Sequence, residues 1–202
     1  DFNGNGKDDI VLGTDDDHIY LILDDGSTAS GFPFTANDKF QAAPSVIDIE
    51  GEKTIFAGSN DHNLYAINSD GSLRFTISTD DKVQSSPSFL VHNDATYIFF
   101  CDNSGMIYAV DINGNVLSGW PVTIGVNDHV STSIIFSDLN GDGEAEIIAF
   151  TNNGLVEAFK IDGSKVPGFP LFNDHAFVSA PVVVDLDGDG DIELVAVSSN
   201  NL

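Results

Sequence analysis

Positive charge is what this sequence lacks most. Seven lysines and arginines stand against 32 aspartates and glutamates in 202 residues, a formal net charge of −25. Such a chain repels phosphate backbones and anionic lipid, so nucleic acid and membrane surfaces are excluded as partners. Divalent cations, basic partners or solubility in a salty medium fit it instead. Cysteine is almost absent. The single Cys101 rules out an internal disulfide and a cysteine zinc cluster. Set in the apolar stretch YIFFCDNSG, it reads as a small core residue. No apolar run is long enough to cross a bilayer, so no membrane insertion is expected. The chain opens on Asp1 with neither an initiator methionine nor a signal-peptide pattern, as a mature form or a piece of a longer polypeptide would. No stretch keeps a helical period. No nucleophile–base pair, G-x-S-x-G elbow or phosphate loop is present, so the expectation is no catalytic residue, no organic cofactor and no enzyme.

What is present is repetition. VLGTDDDHIYLILDDGS, FAGSNDHNLYAINSDGS, FFCDNSGMIYAVDINGN and AFTNNGLVEAFKIDGS share one grammar: apolar strand, polar turn, apolar strand, tight turn. Their turn glycines Gly26, Gly71, Gly114 and Gly163 are spaced 45, 43 and 49 residues apart. A second element aligns Pro44, Pro87, Ile134 and Pro181, and a third, GFPF, GWPV and GFPL, begins at Gly31, Gly119 and Gly168. The second copy lacks the third element and has LRFTIS instead. Asp-Gly and Asn-Gly turns between β-rich runs mark hairpins. Four strands per roughly 45 residues predict an all-β β-propeller of four-stranded antiparallel blades, with a β-solenoid as the rival. Residues 1–202 then form one propeller segment with repeats 1–43, 44–86, 87–133, 134–180 and a partial 181–202. The strand count predicts a fragment of a larger (about seven-bladed) propeller, with a four- or five-bladed ring, or closure through another chain, as the alternative.

Three copies carry an acidic loop: DFNGNGKDD, DLNGDGEAE and DLDGDGDIE. Alternate carboxylates and amides in a tight loop offer hard oxygens, the donors that Ca²⁺ takes six to eight at a time. Side chains at loop positions 1, 3, 5 and 9 and the carbonyl of position 7 are the expected ligands. These are Asp1, Asn3, Asn5, Asp9 and Lys7 in the first loop. They are Asp138, Asn140, Asp142, Glu146 and Glu144 in the second, and Asp185, Asp187, Asp189, Glu193 and Asp191 in the third. Gly6, Gly143 and Gly190 sit at position 6, where the turn is sharp. An EF-hand would need a bidentate Glu at position 12 and flanking helices; here Leu12, Ala149 and Ala196 stand there and the flanks are strand-like. The alternative is an Asp/Gly turn without metal. Asp48-Ile-Glu50-Gly-Glu52 and LVHNDATY occupy the same place in the other two copies and should not bind an ion.

APVVVDLDGDGDIELVAVSS, with the DGS turns and the PGFP and SGWP elements, resembles the FG-GAP/VCBS repeats, the blades of integrin α-subunit-like propellers common in secreted bacterial proteins. The resemblance covers the chain and is weaker in the second and third copies, which also look like pyrroloquinoline-quinone-type propeller repeats. It implies seven blades, calcium between the first and second strands of a blade, and an extracellular or cell-surface module for adhesion, ligand binding or scaffolding. Its ligand, protein or carbohydrate, is unspecified. A self-assembling surface or filament protein whose open blade edges pair, and an accessory domain of a secreted hydrolase or polysaccharide lyase, are the alternatives. The clusters Asn37-Asp38-Lys39, Asp80-Asp81-Lys82, Asn127-Asp128-His129 and Asn173-Asp174-His175 are read as turns capping strand entries, or as an arc that a ligand reads. Phe32, Trp120 and Phe169 are expected to pack between blades, and His18 and His62 to lie in exposed hairpin turns.

Overall fold

The computed structural model describes residues 1–124, 130, 132–178 and 181–199. The described elements are all strands, arranged in five antiparallel meanders. The first sheet holds β1 (Ile10–Gly13), β2 (His18–Ile22) and β3 (Phe34–Thr35). The second holds β4 (Ser45–Ile49), β5 (Glu52–Ser59), β6 (Asn63–Asn68) and β7 (Leu73–Ser78). The third holds β8 (Ser88–His92), β9 (Ala95–Cys101), β10 (Met106–Asp111) and β11 (Val122–Thr123). The fourth holds β12 (Ile135–Ser137), β13 (Glu146–Phe150), β14 (Leu155–Phe159) and β15 (Leu171–Phe172), and the fifth β16 (Val182–Val184) and β17 (Glu193–Val195). In every sheet each strand pairs with its sequence neighbour. This is the blade construction of a β-propeller.

The chain divides into two compact units. One comprises residues 1–87 with 112–114, the other 88–111 with 115–202. In each, the middle strands are nearly continuous apolar runs because both their faces are covered. Ile55, Phe56 and Ala57 of β5 are at most 1% exposed, and so are Ile147, Ile148 and Ala149 of β13. Strands at the sheet margins are less covered, and β4 alternates between more and less exposed residues. In the first unit Ile19, Phe40, Ile55, Ala57, Tyr65 and Ile67 form a core between the first and second sheets. In the second unit one core, with Phe99, Cys101, Ile107, Trp120, Ile147 and Phe159, lies between the third and fourth sheets. Another, with Ile148, Phe150 and Phe177, reaches Leu194 and Ala196 of the fifth. Cys101 is buried there, 2% exposed.

The GFP and GWP elements explain why the outer strands differ. Where they occur, the chain leaves the tight turn through one isolated bridge (Ile22↔Thr28, Val110↔Val116 or Phe159↔Lys165) and only then forms a two-residue strand. Where LRFTIS replaces the element, β7 runs six residues with one register shift between Ala66 and Ile67. The element also joins neighbouring sheets. Trp120 is buried, lies edge-on to Phe99 and Phe159, and donates its indole N–H to the Ile161 carbonyl at 2.9 Å. Phe32 and Phe169 pack against the cores of their own units. In the second unit Ser88 Oγ ties the third sheet to the entry of the fourth by donating to the Ile134 carbonyl at 2.8 Å.

Two connections differ from the acidic loops. β4 and β5 meet through Glu50 (φ 56°) and Gly51 (φ 88°), and β8 and β9 through Asn93 (φ 50°) and Asp94 (φ 61°). Positive φ at both central residues belongs to the two-residue hairpin turn whose twist matches the strands.

Candidate metal centres

The fourth and fifth sheets carry their acidic loops between first and second strands, β12 to β13 and β16 to β17. In the first sheet the loop leads straight into β1. All three loops close on the same set of hydrogen bonds. The position-1 carboxylate of Asp1, Asp138 or Asp185 accepts the N–H of position 4 at 2.7 Å in each loop. It also accepts the N–H of position 6, at 2.8, 2.8 and 3.1 Å. The position-3 oxygen of Asn3, Asn140 or Asp187 takes the N–H of position 5. The position-5 oxygen of Asn5, Asp142 or Asp189 takes the N–H of position 7. The position-9 carboxylate of Asp9, Glu146 or Glu193 reaches back to the N–H of position 2 at 2.7 Å in all three. Glycines at both positions 4 and 6 hold positive φ, from 74° to 96°, which lets successive N–H groups point inward at one carboxylate.

The loops differ in the charge they concentrate. In the third, carboxylate oxygens of Asp185, Asp187 and Glu193 lie within 4.8 Å of one another, the one such group of acids, histidines or cysteines among the described residues. Like charges this close disfavour each other unless a cation or proton intervenes. In the second loop Asn140 stands at position 3, and its amide donates to Glu146 Oε1 at 2.5 Å. Glu146 itself is 2% exposed. Asp142 has Lys160 Nζ at 3.9 Å. The N–H groups of Gly143, then Gly141, Asn140 and Asp142, hold the Asp138 carboxyl below its ordinary value. The donor set fits Ca²⁺ in chemistry, being all oxygen and mostly carboxylate in the second and third loops. In the first loop Lys7 and Asn5 turn to Asp24. Lys7 Nζ lies 2.6 Å from one Asp24 oxygen and Asn5 Nδ2 2.7 Å from the other, and these two bonds hold the Asp24 carboxyl below its ordinary value.

Two residues join these loops without having been picked out by the motif. Asp24 clasps the first loop, its N–H donating to Asp9 Oδ1 at 2.9 Å. The signal for it was the doubled acid in DDGS, where the other turns carry Ser69, Ile112 and Ile161. His92 of β8 places Nδ1 2.8 Å from Glu144 Oε2, and no repeat position announces it. A cavity of about 400 Å³ separates the second and third loops, lined by Asp138, Asn140, Gly141, Gly190 and Asp191 among others.

The strand-entry clusters are largely occupied with their own turns. Asp38 and Asp81 accept the N–H of Lys39 and Lys82, and Asn173 Nδ2 donates to the His175 carbonyl. Asn127, Asp128 and His129 lie outside the described residues. His18 is not in a turn: it opens β2 and is half-buried, because the hairpin turn closes one residue earlier at Asp17 (φ 71°). His62 does lie in its turn (φ 67°), exposed.

Asn37 donates its N–H to Asp61, which also takes the hydroxyl of Tyr65 at 2.6 Å and the amide of Asn63. Burial opposes the Asp61 charge, but Tyr65, Asn37, Asn63 and Ser59 outweigh it and hold its carboxyl below the ordinary value. Burial first, then Asp61, push the Tyr65 phenol up. A carboxyl depressed by folding contributes stability above its unfolded pKa of about 3.9 and loses it as pH falls through the folded value. The expected result is therefore that Asp61→Asn melts below wild type at pH 6 and that the gap closes towards pH 2.5. Thermal melts of both proteins in EDTA across that range measure it, and a constant gap would contradict the assignment. The comparison cancels the self-repulsion of the chain, which both proteins share.

Residues 138–196 match the FG-GAP-like repeat family. A lambda-carrageenase from a Pseudoalteromonas species is 35% identical over 79 residues, which are 39% of this chain and 8% of that protein. Among solved structures, the PilY1 C-terminal domain of Pseudomonas aeruginosa superposes with a TM-score of 0.71 at 14% identity, covering 95% of this chain and 52% of that one. BamB from Moraxella catarrhalis gives 0.65 at 13%, covering 88% and 49%. The chain thus spans about half of these structures and a small part of the carrageenase. The structural neighbours are β-propellers, and at such identities they establish the fold alone.

Proposed function

We propose that this FG-GAP-like propeller segment is a non-catalytic, calcium-binding module of a secreted or surface-exposed protein. The ions hold the acidic loops, and the blades serve as a scaffold for adhesion or ligand binding. One observation carries the reading. A single hydrogen-bond frame recurs in three loops, and in the third it gathers Asp185, Asp187 and Glu193 within 4.8 Å. When bound, the ion supplies positive charge to carboxylates that otherwise repel. The chain's own part is to fix those carboxylates through backbone N–H groups, so that little ordering remains at binding. Sites of roughly 10⁻⁴ to 10⁻³ M affinity, usual for extracellular modules, fill outside a cell and empty in cytosol.

Calorimetric titration tests this. Up to three Ca²⁺ ions are expected, with the tightest lost in Asp187→Ala and the others kept. A flat titration, or one equally satisfied by Mg²⁺, would remove the reading.

The identity shared with a carrageenase favours a second reading, an accessory module of a polysaccharide-active protein. A net charge of −25 repels a sulfated or carboxylated glycan, so the module would hold the parent's architecture rather than grip the polymer. Affinity electrophoresis through gels of anionic and neutral polysaccharide decides: retardation specific to one glycan supports a substrate-binding role, and uniform mobility leaves the scaffold.

A further inference from the structure

The first acidic loop differs from the other two by one cation. Its position 7 is Lys7, where the second and third loops carry Glu144 and Asp191. A lysine on such a loop is a tethered competitor, because its ammonium can satisfy the carboxylates that an ion would take. The structure shows where that ammonium goes instead. Lys7 Nζ lies 2.6 Å from Asp24 Oδ2, and Asp24 is its one ion-pair partner among the described residues. Asp24 is itself fixed for the task. Its other oxygen takes Asn5 Nδ2 at 2.7 Å, its N–H donates to Asp9 Oδ1 at 2.9 Å, and its side chain is only 13% exposed. With Nδ2 held there, Asn5 Oδ1 is left to accept the N–H of Lys7 at 2.8 Å. The two departures from the repeat occur together. In the fourth sheet, where position 7 is Glu144, Ile161 stands in the place of Asp24.

We infer that Asp24 is a positioning residue of the first loop: it holds the Lys7 ammonium off the Asp1 and Asp9 carboxylates and so keeps that loop open to a divalent cation. The inference rests on the calcium reading of this loop and adds to it an internal competitor and the latch that restrains it. Without the latch, Lys7 turns onto Asp1 and Asp9. A tethered group acts at an effective concentration of about millimolar. That is the order of the roughly 10⁻⁴ to 10⁻³ M affinity of extracellular calcium modules, so the competition is felt. Asp24 does not act as a ligand here, because each of its oxygens already accepts a donor.

Amide NMR tests the inference loop by loop. Gly4 and Gly6 donate their N–H groups to Asp1, so their signals report the first loop, while those of Gly143 and Gly190 report the other two. Followed at Gly4 and Gly6, Ca²⁺ binding is expected to weaken about tenfold or more in Asp24→Ala. The Gly143 and Gly190 responses should stay as in wild type, which also shows that the variant is folded. Lys7→Ala should then tighten the first site by a factor about fivefold larger in the Asp24→Ala background than with Asp24 in place. Equal factors would reduce Asp24 to one more negative charge near the loop and overturn the inference. A second arm needs no metal. In EDTA the Gly4 and Gly6 signals should move in Asp24→Ala, as the ammonium enters the loop, and return in Asp24→Ala/Lys7→Ala. Wild-type signals that ignore Ca²⁺ would remove the calcium reading of this loop and the inference with it. A wild type that binds Ca²⁺ while Asp24→Ala leaves the EDTA signals in place would overturn the inference alone.

Discussion

Melted in excess EDTA and again in millimolar Ca²⁺, the protein is expected to unfold roughly 10 °C or more higher with calcium, and Mg²⁺ should give little of that gain. Binding to the folded state alone contributes about 1.4 kcal/mol per site at tenfold excess over Kd and about 2.7 kcal/mol at a hundredfold. At this chain length 1 kcal/mol moves the midpoint by about 2–4 °C. Two sites give about 6–11 °C at tenfold excess and pass the stated shift at a hundredfold, and three sites give about 8–17 °C at tenfold excess. Magnesium demands stricter octahedral geometry and sheds water reluctantly, whereas these loops offer closely packed carboxylates. Asp185→Ala should lose part of the calcium increment, because it removes both the position-1 ligand and the acceptor for Gly188 and Gly190. An identical midpoint in EDTA and calcium would reduce the loops to ordinary turns, and the extracellular reading built on them would go too.

Gly119→Ala is expected to rank, with Gly31→Ala, among the costliest added methyls at the described glycines, about 3–5 kcal/mol, the range of severe steric and backbone lesions. Two penalties coincide. The residue sits at φ 88°, where an L side chain is strained by about 1–2 kcal/mol. An added Cβ would also fall 1.9 Å from the Asp162 carbonyl oxygen, on the Asp-Gly turn of the next sheet. The contact is reciprocal, since a Cβ on Gly163 would meet the Gly119 carbonyl at 2.4 Å. Gly31 repeats it against Asp70 at 1.9 Å. Gly168 is the internal control: it occupies the same place in the third GFP element at φ 96°, with nothing within 4 Å of an added Cβ. Gly168→Ala should therefore show the backbone penalty alone. Denaturant unfolding of the two variants separates strain from collision, and equal losses would show that the glycine–glycine approach contributes nothing.

The repeat was legible because the blade writes its turns with Gly26, Gly71, Gly114 and Gly163 and buries what lies between. A strand covered on both faces needs a continuous apolar run, and FAG, FFC and IIAF supply it. The alternation of short oxygen side chains in the loops was legible as a pattern, and the structure shows those oxygens at positions 3 and 5 accepting loop N–H groups. The glycine at position 4 was passed over, although it holds positive φ as firmly as position 6, because EF-hand logic asks for one glycine only. The function of position 9 was half seen. Its carboxylate is also a brace for the N–H of position 2, a backbone partner that no residue type reveals. Asp24 and His92 were not found because each meets its loop through the fold, from a turn or strand remote in sequence. His18 was misplaced by one residue of hairpin geometry.

The two-residue hairpins at Glu50-Gly51 and Asn93-Asp94 set two sheets apart from those that carry acidic loops. Sheets closed by those turns owe their geometry to backbone twist and buried phenylalanines. Sheets closed by the acidic loops would, on the proposed calcium reading, lean on a solute the surroundings can withdraw. On that reading, local opening would follow the calcium supply in the first, fourth and fifth sheets and be indifferent to it in the second and in the third. A protease meeting the protein in a calcium-poor medium would then find its cutting sites in those sheets, and the concentration of one small ion would set how long the module lasts.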